Sequence, residues 1–134
     1  MSKEIKQREI NKMARDHEEW IDTNGKSGKK LNLEGKELNG IRLLNLNLKE
    51  ANFKNTIIKD TAIFANLEGA NFEGSKIDNV EFIGSNIKGM KIDTKELERI
   101  NIQIKEELSL HNEANVSLKT NNNKEKSNDY ELKM

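Results

Sequence analysis

Ala51-Asn52-Phe53-Lys54-Asn55 and Ala70-Asn71-Phe72-Glu73-Gly74 share one pattern: a small residue, an amide, a large apolar residue and two polar or turn-forming residues. A looser form of it runs outward from these stretches in both directions. Its apolar centres are Leu33, Leu38, Leu43, Leu48, Phe53, Ile58, Ile63, Leu67, Phe72, Ile77, Phe82, Ile87 and Ile92, five residues apart with a single one-residue slip between Ile63 and Leu67. A helix returns a side chain to one face after three or four residues and a strand after two. A sustained five fits neither, and belongs to short extended segments joined by corners and stacked as a solenoid. The large centre fills an interior, and the small residue before it leaves room for the chain to bend. Two positions after the centres stand Gly35, Gly40, Gly69, Gly74, Gly84 and Gly89, with Asn45, Asn55, Asp60 and Asn79 in the same slot. These residue types tolerate tight turns.

The run resembles the pentapeptide-repeat family, whose consensus is Ala-Asp/Asn-Leu-x-x, over residues 31–94, about half of the 134-residue chain. Departures are Lys36, Leu31, Ile41, Leu46, Val80 and Met90 in the small slot, concentrated where caps must be met. The resemblance implies a β-solenoid, a right-handed quadrilateral β-helix in which four repeats complete a coil. About three coils at a spacing of about 4.8 Å make a body ~15 Å tall. So squat a body has two open ends, whose unpaired edges need covering.

The flanks supply candidates for that covering. In residues 1–30, a capping helix and linker, Ile5, Ile10, Met13, Ala14, His17, Trp20 and Ile21 between Glu4 and Asp22 approximate one helical stripe, which Gly25 and Gly28 end. His17-Glu18-Glu19-Trp20 is similar to the His-x-x-Trp lead-in of some bacterial members of the family, and points to capping. After the repeats, Asp93 or Thr94 can cap a helix over 95–111, with Glu96 completing a capping box and Leu97, Ile100, Ile104 and Leu108 along one side. Residues 112–134 turn to Asn, Lys, Glu and Ser without apolar period and read as a disordered tail.

Composition bounds the chemistry. Absence of Cys removes disulfides and thiolate metal sites, and no apolar run reaches the length of a membrane span. The charged start, Met1 to Lys6, carries no secretory signal, so a cytoplasmic location is expected. Lys, Asn and Ile in abundance without Pro suggest a bacterial or phage source. His17 and His111 stand on different flanks with no cluster to complete a metal shell, and neither a phosphate loop nor a nucleophile motif is present. No catalytic residue, cofactor or metal is expected.

Repeats four apart share a face, and one face differs from the others. The residues after the centres Leu43, Ile63 and Phe82 are Leu44, Phe64 and Ile83, whereas the other faces carry Glu34, Lys54, Glu73 and Asp93; Asn39, Lys59 and Asp78; and Lys49, Glu68 and Lys88. Leu44, Phe64 and Ile83 are therefore the candidate interface, for a protein partner, a second copy or one of the chain's own helices. The slip leaves open whether Ile63 or Phe64 turns inward. Just before the centres, Asn32, Asn52 and Asn71 stack on one face, and Asn47, Asn66 and Asn86 on another, in position for amide ladders.

In the family the best-known activity is mimicry of DNA against a type II topoisomerase (gyrase). Residues 31–93 hold eight Lys and Arg against nine acids, a net of minus one, whereas a duplex carries one negative charge per ~1.7 Å. Nor is there the basic excess that nucleic-acid binding requires. The expectation is a non-enzymatic protein-interaction module, an adaptor or inhibitor of a cellular protein, with no direct nucleic-acid or membrane contact. The alternative is a DNA-mimicking gyrase binder acting as a dimer.

Overall fold

The structure, a computed structural model, describes residues 3–101. Four strands, β1 (Glu37–Asn39), β2 (Arg42–Asn47), β3 (Ile57–Asn66) and β4 (Lys76–Glu81), are paired in parallel. β1 and β2 pair with successive halves of β3, and β4 pairs with β3 in turn. Parallel neighbours need a crossover, and here it is the remainder of each pass: Asn32 pairs with Asn52 at an offset of 20, and Asn52 with Asn71 at 19. Residues 31–92 form a β-solenoid.

Its interior is the column of repeat centres. From Leu33 to Phe82 none is more than 4% exposed, while Ile87 and Ile92 are half-buried. Phe53 and Phe72 stack in parallel with ring centroids 4.4 Å apart, and Phe82 meets Phe72 edge-on at 6.2 Å. Corners fall two residues after the centres, with positive φ at all ten anticipated positions and also at Glu50 (φ 65). Left-handed backbone costs a non-glycine residue on the order of 1 kcal/mol, a cost here offset by the ladder that each corner allows. At Gly74 a Cβ would also meet Asn55 Oδ1, the end of an exposed side chain that would have to swing aside.

The slip is a missing corner residue. Leu44 pairs with Phe64, but Leu46 pairs with Ala65, so Asn45 has no counterpart in the pass above it. Ile63 turns inward, 1% exposed, and Phe64 turns outward, 45% exposed. The asparagines serve the turns first. Oδ1 of Asn32, Asn52, Asn71, Asn66 and Asn86 accepts the N–H two residues on at 2.9–3.1 Å. Amide-to-amide rungs follow where geometry permits, from Asn52 to Asn32 (3.1 Å) and from Asn86 to Asn66 (3.2 Å).

The lower end is closed by α1 (Gln7–Asp22), which packs on β2 and buries Ile10, Ala14 and His17. Residues 3–6 are extended rather than helical: Ile5 donates its N–H to Glu37 O and Glu37 donates to Lys3 O, so the first residues extend the ladder below β1. The closure is also more polar than an apolar stripe suggests. Gln7 accepts from Arg42 N–H and donates to Arg42 O, both at 2.8 Å, and Glu18 accepts from Asn47 N–H at 2.8 Å. His17 lies between Leu31 N–H, which donates to Nδ1, and Lys49 O, which accepts from Nε2. The helix ends as expected, at Asp22 with Gly25 N–H returning to Trp20 O, but the linker stays against it. Lys29 N–H returns to Asp16 O, and Gly28 lies so close to the helix backbone that a Cβ would meet Asp16 O and Trp20 N.

At the upper end residues 94–101 are helical, and Ile100 is buried. Glu96 does not complete a capping box. Glu96 is 4% exposed and its carboxylate accepts the N–H of Ile77 at 3.0 Å, and Asp93 accepts that of Gly74 at 3.3 Å. Each carboxylate stands 19 residues beyond its donor, the offset at which Lys54 O and Lys59 O serve Gly35 and Gly40 lower in the stack. Acidic side chains thus stand in for the carbonyls of a further layer. The expected continuation of the helix to residue 111 and the tail 112–134 lie outside the described residues.

Two expectations follow from this packing. Phe72→Ala empties the centre of the aromatic stack and should cost about 3–5 kcal/mol in denaturant unfolding. His17 has its pKa held below the ordinary 6.5 by burial and by the nearby Lys30 charge, against the bond to Lys49 O. Its folded-state pKa being the lower, the unfolded chain binds the extra proton, so this stability is complete above about pH 6.5 and declines as pH falls towards the folded value. Unfolding measured from pH 7.5 to 5.5 should show that decline, and His17→Gln should flatten it.

Candidate protein-interaction face

The face built on the centres Leu43, Ile63 and Phe82 presents two outward columns. Leu44 and Phe64 are register partners, and the pairing of Ala62 with Glu81, continued two residues, brings Ile83 beside Phe64. Period-2 alternation forces this outcome: once Leu43 and Ile63 point inward, Leu44 and Phe64 must point outward. They are 39% and 45% exposed, and Ile83 is 39% exposed. The structure therefore brings the three anticipated residues together on the surface.

Phe64 does not project freely. Its ring lies against Gly84, where a Cβ would come within 2.5 Å of Cε1 and 2.7 Å of Cδ1. The ring leans upward onto the corner of the next pass, at the side from which its own corner residue is missing. Leu44, Phe64 and Ile83, in register up the stack, make one apolar ridge.

The second column holds Arg42, Ala62 and Glu81, in register and two residues before the first. Beside it an open hollow of about 280 Å³ runs past Asp60, Thr61 and Asn79, with Asn79 Nδ2 donating to Asp60 Oδ1 at 2.8 Å. Sequence reasoning passed over this column because it tracked only the position after each centre. It also passed over Ile57, 38% exposed, which is on the neighbouring face between Glu37 and Lys76.

Other polar groups serve the fold. Among the described residues no three His, Asp or Glu side chains gather to hold a metal ion, and no helix is long and apolar enough to cross a membrane. The His17 ring stacks on Trp20 at 5.5 Å, and Lys30 Nζ lies 5.6 Å from the Trp20 ring centroid. His17 is wholly buried, with both ring nitrogens occupied by backbone.

With this geometry in place, a family model described as pentapeptide repeats (8 copies) matches residues 62–89. Residues 62–89 are pentapeptide repeats. No curated protein and no solved structure matches it. The matched span contains Phe64 and Ile83 of the apolar column together with Ala62 and Glu81 of its neighbour.

The Phe64 ring on Gly84 yields a direct test. Gly84→Ala meets both a left-handed φ of 88 and the ring, and should cost about 1–3 kcal/mol in denaturant unfolding. Pairing it with Phe64→Ala should recover part of that loss, because the clash disappears.

Proposed function

We propose that this pentapeptide-repeat chain is a non-enzymatic interaction module, an adaptor or inhibitor of a cellular protein, that binds through Leu44, Phe64 and Ile83. The supporting observation is the contrast between faces: three large apolar side chains stand exposed in one column where the other faces carry charges and amides. Contiguous exposed apolar surface marks interaction sites, and fully burying a side chain of this size is worth about 1.5–3 kcal/mol. In this reading the scaffold is a right-handed, four-sided β-helix of about three coils, a cross-section that the stacked bridges and strand pairs favour.

Charge argues against the DNA-mimic alternative. A duplex segment ~15 Å long presents about nine negative charges, whereas residues 31–93 carry a net of minus one.

Leu44→Lys combined with Ile83→Lys should leave the circular dichroism spectrum unchanged and move stability by about 0.5 kcal/mol or less, because a lysine stem can lie along the face with its ammonium in water. Immobilised, the parent chain should retain from a lysate of the cells that make it a protein that the double variant releases. Identical retention by both would remove this reading.

A further inference from the structure

On two of the other faces the charges following the centres alternate in sign over three successive layers, as in Glu34, Lys54 and Glu73 or Lys49, Glu68 and Lys88. Opposite charges there are neighbours about 4.8 Å apart up the stack and neutralise one another within the column. The column of Arg42, Ala62 and Glu81, like that of Glu37, Ile57 and Lys76 on the neighbouring face, is built differently. Its two charges are separated by a small apolar residue and stand two layers, or about 10 Å, apart. Both are exposed, and among the described residues neither forms a salt bridge. The face therefore presents, from bottom to top, plus, small and minus beside three apolar side chains.

We propose that this face binds a second copy of the same chain, about a two-fold axis lying in the face, parallel to the strands and level with Phe64 and Ala62. The proposal rests on the reading of Leu44, Phe64 and Ile83 as an interaction surface, and names its occupant. Such a rotation keeps the columns and inverts the order of the layers. Arg42 then meets Glu81 of the second copy, Glu81 meets Arg42, Leu44 lies against Ile83, and the Phe64 rings meet at the axis. The other in-plane two-fold, along the solenoid axis, would set Arg42 against Leu44 and Glu81 against Ile83, burying charges on apolar groups. One arrangement satisfies both columns, as an isologous contact demands.

The face limits the strength of this contact. Three layers of one strand offer far less than the roughly 800 Å² per partner of a standard interface, so association is weak and depends on concentration. The apolar column supplies the attraction, and the ion pairs set the orientation.

Sedimentation equilibrium of the full chain, at concentrations up to about 1 mM and at low salt, should show a monomer–dimer equilibrium. Arg42→Glu or Glu81→Arg alone turns both symmetric attractions into repulsions and should weaken the dimer about tenfold or more. The double reversal keeps the parent net charge and should restore the affinity to within about threefold. A monomer at every concentration, single reversals without effect, or a double reversal that fails to recover would each overturn the second-copy proposal. The Leu44→Lys, Ile83→Lys variant separates the two readings. If the parent is a monomer yet retains a lysate protein that this variant releases, only the second-copy proposal falls; if a dimer survives in the variant, the face itself is wrong and both fall.

Discussion

Backbone N–H and C=O groups that point along the solenoid axis must find partners in the pass above or below, and the rest of the molecule answers that demand. Within the stack the partners are other passes, at offsets of 19 or 20 residues. Buried, unpaired backbone groups are costly, so the stack cannot simply stop. Below, it ends on Lys3 and Glu37 backbone bonds and on the side chains of Gln7, His17 and Glu18. Above, Asp93 and Glu96 offer carboxylate oxygens where another pass would offer carbonyls.

This polar closure explains why so short a solenoid carries a helix at its lower end. An apolar helix face alone would cover the interior centres but leave the edge groups beneath it unsatisfied. α1 does both: Ile10 and Ala14 bury apolar surface, while Gln7, His17 and Glu18 reach backbone groups of the lowest pass. His17 works as a neutral ring accepting at one nitrogen and donating at the other, so its protonation is coupled to the attachment of the helix. Among the described residues the buried Ser75 Oγ is the exception to this economy, having no hydrogen-bond partner.

The missing corner residue beside Phe64 shows how the stack absorbs an error of register. An offset of 20 becomes 19 after Leu44 and returns to 20 by Asn66 and Asn86, without displacing a centre from the interior. The accommodation is local, and it leaves a phenylalanine leaning on the glycine of the next corner. The irregularity and the apolar ridge thus occupy the same place.

Much of this was legible in the chain itself. A five-residue period admits no helix or flat sheet, so the solenoid, its interior centres and its corner positions follow from spacing alone; the outward column of Leu44, Phe64 and Ile83 follows from the same count. Glu50 escaped notice because nothing in a glutamate announces a left-handed corner, which the neighbouring ladders impose. The roles of Gln7, Glu18, Asp93 and Glu96 escaped as well, since a polar side chain acting on a backbone edge far away in sequence leaves no local period. Whether Ile63 or Phe64 faces inward was undecidable at a slip, where two registers fit the pattern equally. Only stacking between passes chose, because Leu43 below and Phe82 above left an interior place for Ile63 and a glycine on the surface for the Phe64 ring.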